Sequence, residues 1–275
     1  MEIEPGPIGV FDSGYGGLTI LNEIRRAMPD YNYLYLGDNA RAPYGTRSFD
    51  VVFDFTRQAV EELFARGCRL VVLACNTASA KALRTIQQQV LPGLYPDHRV
   101  LGVIRPTVEV LGEESSGGHV GLLATPGTVR SHSYQLEIEK LHPGMYLTEQ
   151  ACPMWVPLVE TGEASGQGAD YFVKKYIDAI MKRDPEIDTI VLGCTHYPLL
   201  LPKIRKYTPE GIKILAQGEI VGKSLRDYMH RHPEIDCLCS RGGNVDFLTT
   251  EAAEGFNRMA SIFTGIPVKS TRITL

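Results

Sequence analysis

The sequence predicts an α/β protein with a parallel sheet in each of two similar halves. Short aliphatic runs alternate with amphipathic helical stretches along all 275 residues, which implies βαβ units. The chain also repeats itself. VVLACNTASA at 71–80 lies over IVLGCTHYPL at 190–199, and IGVFDSGYG at 8–16 lies more weakly over VGLLATPGT at 120–128. The two matches keep the same order at similar offsets, Cys194 following Cys75 by 119 residues and Val120 following Ile8 by 112.

Segments 8–11, 33–36, 70–74, 100–103, 120–124 and 189–193 are short, aliphatic and bounded by turn residues, and read as strands buried on both faces. Between them, 49–66 places Val52, Phe53, Phe55, Val60, Leu63 and Phe64 near helical spacing; 171–182 and 248–263 read as helices on the same ground. The chain is expected to cross between halves near 92–96 and to return near 203–208. That assigns 1–97 with 207–275 to the first α/β domain and 98–206 to the second. A pseudo-twofold between two such halves brings both cysteines to one cleft. In parallel sheets ligands bind beyond the carboxyl ends of the strands, so the loops after strands are where chemistry is sought.

Composition narrows the function. A formal charge of −4 argues against a nucleic-acid partner, which needs a basic face. No apolar run reaches membrane-spanning length, and 1–7 does not read as a leader. The six cysteines are scattered and do not form a disulfide framework, which points to a reducing cytoplasm.

Cys75 and Cys194 each follow a strand and precede a polar helix start, Asn76-Thr77-Ala78 and Thr195-His196-Tyr197-Pro198. A thiol there is expected to feel the positive end of a helix and to ionise more readily. Asp12 and Ser13 close the first strand, with Gly14, Gly16 and Gly17 allowing close backbone approach. These glycines imitate a dinucleotide fingerprint with Asp38 as its acid, but the third position is Thr19. The 41–46 loop, RAPYGT, offers Tyr44 and Thr46 hydroxyls around a turn fixed by Pro43 and Gly45. Glu160 and His196 are candidate acid–base partners. His230, His232, Cys237 and Cys239 imitate a metal cluster, but H-x-H with C-x-C is not a zinc spacing; no metal is expected. Cys68 and Cys152 read as buried small residues. No lysine sits in a context that suggests pyridoxal phosphate, so no cofactor is expected.

The segments IGVFDSGYGGLTIL (8–21), GDNARAPYGTRS (37–48), LACNTASA (73–80), ACPMWVPLVE (151–160) and LGCTHYPLL (192–200) resemble the glutamate racemases of the aspartate/glutamate racemase superfamily. The resemblance implies two flavodoxin-like domains and cofactor-independent interconversion of L- and D-glutamate, supplying peptidoglycan synthesis. It assigns Cys75 and Cys194 as the two acid–base residues, assisted by Asp12, Glu160 and His196. Ser13, Tyr44, Gly45, Asn76, Thr77 and Thr195 hold substrate, and with them Thr125 and Thr128. A homodimer is among the assemblies it allows. Two segments depart from the pattern: VIRPT at 103–107 carries Arg105 where an acid is usual, and AQGEIV at 216–221 lacks the usual Asp-Ser. Neither is expected to touch the chemistry. Two other functions fit part of the pattern: a Cys/His hydrolase, which leaves one cysteine unexplained, and a non-catalytic binding module.

Overall fold

A computed structural model describes residues 4–275 of the protein; the first three residues of the 1–7 stretch lie outside the described residues. Ten strands form, in chain order β1 (Ile8–Asp12), β2 (Tyr33–Gly37), β3 (Leu70–Leu73), β4 (Arg99–Gly102), β5 (His119–Ala124), β6 (Tyr146–Ala151), β7 (Thr189–Gly193), β8 (Lys213–Leu215), β9 (Val245–Thr249) and β10 (Ser270–Arg272). They make a six-stranded sheet of order β10-β9-β2-β1-β3-β4 and a four-stranded sheet of order β6-β5-β7-β8. Every pairing within them is parallel. The order β2-β1-β3-β4 recurs as β6-β5-β7-β8, so the repeat seen in the sequence is a repeat of topology. In both copies the third strand runs directly into its cysteine.

All six predicted strands form, with ends shifted by a residue. β1, β2, β3 and β7 are buried along their whole length, which is what their unbroken aliphatic runs require. The helix Phe49–Ala65 begins where the Ser48 hydroxyl accepts from Val51 N, and it buries Val52, Thr56, Ala59, Val60, Leu63 and Phe64. Each large side chain on that stripe contributes roughly 1.5–3 kcal/mol of apolar burial. The helix read at 171–182 is longer, Gln167–Arg183.

Three expectations need correction. The helix read at 248–263 starts only at Ala253, because Leu248 belongs to β9 and pairs with Leu36 of β2. Four strands, β6, β8, β9 and β10, were not foreseen: β6, β8 and β10 are partly exposed sheet edges without the aliphatic run that marks a buried strand, and the end of β9, which lies between β10 and β2, was read as helix. The crossings also move. β4 pairs with β3 (Val71 opposite Val100) and β8 pairs with β7 (Ile190 opposite Ile214). Residues 99–102 therefore belong to the first sheet and 213–215 to the second, and the chain crosses within 103–118 and 216–244. As expected, the C-terminal region returns to the first sheet, through β9 and β10.

The returning helix Gln217–Arg231 packs tightly on helix Gly17–Ala27. A Cβ on Gly222 would meet the Glu23 carbonyl oxygen at 2.8 Å, and one on Gly218 the Glu23 Cγ at 2.7 Å. Among the described residues no helix is long and apolar enough to cross a membrane.

Candidate active site

β1 and β3 are neighbours, so their carboxyl ends deliver Asp12, Ser13 and Cys75 to one place. Cys75 caps the helix Asn76–Lys81: its sulfur accepts from Ala78 N at 3.4 Å and lies 3.4 Å from Ser13 Oγ. Asp12 is buried, with Oδ2 accepting from Gly14 N at 2.9 Å. Its Oδ1 has no partner among the described residues. Burial raises the Asp12 carboxyl above the usual carboxylate range, against the opposing pull of His196.

The Cys75 thiol does not ionise more readily, as its helix-cap position suggested. Burial, and next the Asp12 charge, push it up to about 12. Magnitudes explain the reversal. A helix terminus is worth roughly 0.3–1 kcal/mol, under one pKa unit, whereas desolvation moves a buried group by as much as 3–5 units. The helix here has only six residues.

Cys194 follows β7, but no α-helix begins behind it; Tyr197–Leu200 is a 3-10 turn. Positive charge comes instead from His196, whose Nδ1 lies 3.9 Å from the Cys194 sulfur and whose Nε2 is 3.0 Å from Glu160 Oε1. Burial works against the charge on His196, but the Cys194 sulfur and Glu160 outweigh it and push the imidazole up to about 10. An imidazolium can donate from both nitrogens, to the sulfur on one side and the carboxylate on the other. The two sets meet: Asp12 feels the charges of His196 and Glu160, and the Cys75 sulfur feels that of Cys194.

Three threonines from both halves close the cleft. Thr77 Oγ1 lies 3.0 Å from Thr125 Oγ1 and 3.4 Å from Thr128 Oγ1, and the latter two are 3.1 Å apart. Gly45 abuts Thr125, where an added Cβ would meet the threonine Cβ at 3.0 Å. Tyr44 opens the Tyr44-Gly45 turn of the same loop. Its ring is buried against Phe11 and Phe55, and its hydroxyl donates to Asp38, which also takes Arg41 Nε at 2.7 Å and Thr250 Oγ1 at 2.8 Å. Asp38 is thus the anchor of the 41–46 loop, and the tyrosine hydroxyl is already committed. Thr195 is buried, its carbonyl accepting from Thr19 Oγ1 at 3.1 Å. Asn76 donates to Gln217 Oε1 at 2.6 Å, so the 216–221 segment expected to lie away from the chemistry touches a site residue.

Sequence reasoning missed Asp38 as a loop anchor, Gln217, Tyr134 and Lys81. Lys81 is a buried lysine whose Nζ donates to Arg47 O at 2.7 Å and whose pKa burial lowers. Only for Asp38, beside the PYGT run, did the sequence hold a cue. His230, His232, Cys237 and Cys239 are not gathered: His232 faces Glu234, Cys237 is exposed, and Cys239 is buried in a bridge with Gly6. Among the described residues, the His/carboxylate group close enough to share an ion is His119, Asp184 and Glu186, on other elements.

The charges predict a contrast in reactivity. At neutral pH Cys75 should hold roughly three orders of magnitude less thiolate than a free thiol of pKa about 8.5. It should alkylate far more slowly than such a thiol, with a rate that climbs about tenfold per pH unit toward pH 12. Iodoacetamide labelling mapped by mass spectrometry across a pH series reads this. Labelling of Cys75 at neutral pH as fast as that of a free cysteine would contradict the assignment.

Residues 18–221 match the Asp/Glu/Hydantoin racemase family. The chain is 41% identical over 273 residues to a glutamate racemase of Paracoccus denitrificans, covering 95% of this chain and 98% of that one. A glutamate racemase isoform of Bacillus anthracis superposes with a TM-score of 0.89 at 32% identity, covering 98% of both chains. A glutamate racemase of Francisella tularensis, solved in complex with D-glutamate, superposes at 0.87 with 28% identity and the same coverage. With its duplicated sheet order and a cysteine at the end of each third strand, the chain belongs to the Asp/Glu/Hydantoin racemase family and is an isomerase acting on amino acids.

Proposed function

We propose that the protein interconverts L- and D-glutamate without a cofactor, with Cys75 and Cys194 as the two acid–base residues on opposite faces of the substrate. One observation carries the reading. Two strand-end cysteines sit within electrostatic reach of each other, and each has its own charged partner, Asp12 for Cys75 and His196 with Glu160 for Cys194. The halves built on β1–β4 with β9 and β10, and on β5–β8, are the two domains that hold substrate between them.

In each turnover one thiolate takes the α-proton: an S–H bond forms as the C–H bond breaks, and the electron pair is left on the α-carbon and its carboxylate. The facing thiol breaks its S–H bond and delivers that proton to the opposite face. The negative charge has then crossed the cleft from one sulfur to the other. The weak acidity of an α-proton makes charge stabilisation the main task. We assign that task to the hydroxyls of Thr77, Thr125 and Thr128 and to the main chain at Gly45 and Thr195. Both sulfurs are under a tenth exposed, so the exchange runs with little water present. Burial and the Asp12 charge raise the Cys75 thiol, so the free enzyme rests mainly with Cys75 protonated. The setting we propose is cytoplasmic, with D-glutamate passing to peptidoglycan synthesis.

Circular dichroism of purified protein with each enantiomer of glutamate and aspartate tests the reading. Both glutamate solutions should decay to the racemate, with aspartate much slower, and the rate should survive dialysis against chelator and treatment with hydroxylamine. Activity that returns only with zinc or pyridoxal phosphate would remove the cofactor-free reading. The Cys194–His196–Glu160 row also fits a nucleophile set; a trapped acyl-enzyme without racemisation would favour a hydrolase.

A further inference from the structure

Gln217 sits where the two crossings between the halves meet. It is the first residue of helix Gln217–Arg231, 2% exposed, on the returning crossing. Its Nε2 donates to Thr107 Oγ1 at 2.8 Å, and that hydroxyl donates on to the Val103 carbonyl at 2.7 Å, both on the outgoing crossing. The second Nε2 hydrogen reaches the Tyr134 hydroxyl at 2.9 Å, on helix Ser133–Leu141 of the second half. Tyr134 in turn donates to Asn76 Oδ1 at 2.8 Å, and Asn76 Nδ2 closes the ring on Gln217 Oε1 at 2.6 Å. Every polar hydrogen of the Gln217 amide has an acceptor, and the ring permits a single orientation of the Asn76 amide.

Asn76 directly follows Cys75 and is the first residue of the helix whose Ala78 N–H holds the Cys75 sulfur. The far side of the ring is rigid, because helix Gln217–Arg231 is pressed against Glu23 through Gly218 and Gly222. Asn76, Gln217, Tyr134 and Thr107 are buried, so water cannot replace a lost partner cheaply.

We propose that Gln217 is a positioning residue for Cys75: by locking Asn76 to Tyr134 and to both crossings, it holds the first turn behind Cys75 in place against the second half. This rests on Cys75 being one of the two acid–base residues. The residue lies in the 216–221 segment that departs from the family pattern. Sequence reasoning passed over it because its partners lie 83 to 141 positions away.

Gln217→Leu keeps the bulk and removes every polar link of the side chain. It should lower kcat/KM for glutamate by about tenfold or more, since a misplacement on the order of an ångström costs up to about a hundredfold. Cys75 should also become alkylated about fivefold faster, while Cys68, Cys152 and Cys194 label as before. Thr107→Val, which breaks one Gln217 link but leaves the Asn76 ring intact, should keep kcat/KM within about threefold at a similar loss in Tm. If Gln217→Leu does not fold, Tyr134→Phe opens the ring from the other side and should expose Cys75 in the same selective way. A folded Gln217→Leu with unchanged Cys75 labelling and unchanged kcat/KM overturns the proposal. So does a parallel rise at all buried cysteines, which means general loosening. Failure of the wild-type protein to racemise glutamate would count against the proposed reaction, whereas the labelling pattern decides the hold on Cys75 by itself.

Discussion

Cys75→Ala and Cys194→Ala should each lower racemisation from either enantiomer by about a thousandfold or more, because the proposed turnover needs one sulfur as base and the other as acid. The remaining thiol still faces one enantiomer. It can take the α-proton and return a solvent-derived one to the same side. In heavy water, Cys75→Ala should therefore exchange the α-proton of L-glutamate without inversion, and Cys194→Ala that of D-glutamate; the hands are those implied by the family resemblance. The charges add an asymmetry. Cys194 keeps its imidazolium partner in Cys75→Ala, whereas Cys75 in Cys194→Ala must ionise beside Asp12 from a pKa of about 12. Exchange by Cys75→Ala should be the faster of the two. Proton NMR of the α-position with chiral chromatography reads both outcomes. Substantial racemisation by either single variant means that one cysteine suffices or that another residue is the base. Exchange with the opposite enantiomers keeps the two-thiol mechanism and reverses the hands.

Gly16→Ala should be nearly as damaging, although residue 16 carries no chemistry. A Cβ there would lie well inside contact distance of Thr195 Oγ1 and His196 Nδ1. Thr195 is held through its carbonyl by Thr19, so the imidazole gives way and its Nδ1 leaves the Cys194 sulfur. We expect kcat/KM to fall about a hundredfold, and equally in both directions, because enantiomers are equally stable. The His196 imidazole, followed by NMR, should titrate well below its wild-type value of about 10, and Cys75 labelling should not change. His196 contributes to stability as well. Its folded pKa is raised, so the contribution is complete below the unfolded value of about 6.5 and is lost as pH rises through about 10. In Gly16→Ala that window should narrow from its upper end. A folded variant within about threefold of wild-type activity would show that the contact relaxes without moving His196.

The sequence by itself determined the class of fold, the duplication and the two cysteines. Strands buried on both faces must be aliphatic throughout, and a repeated strand-to-cysteine unit survives as local sequence, so 8–21, 71–80 and 190–199 were legible without coordinates. Asp12, Ser13, Thr195 and His196 were legible for the same reason, lying within two residues of a strand end or of a cysteine. Tertiary structure decided what depends on distant partners. β6, β8 and β10 are partly exposed edge strands, defined by what they pair with rather than by their own side chains. The ionisation of Cys75 turned on burial and on Asp12, a residue 63 positions away. The Tyr44 hydroxyl went to Asp38 because the 41–46 loop folds back over it. Gln217 joined Asn76, Thr107 and Tyr134 only because both crossings pass through one point. Hydrophobic period and helix start are properties of neighbouring residues, whereas a pKa or a closed hydrogen-bond ring belongs to groups that only the packed chain brings together.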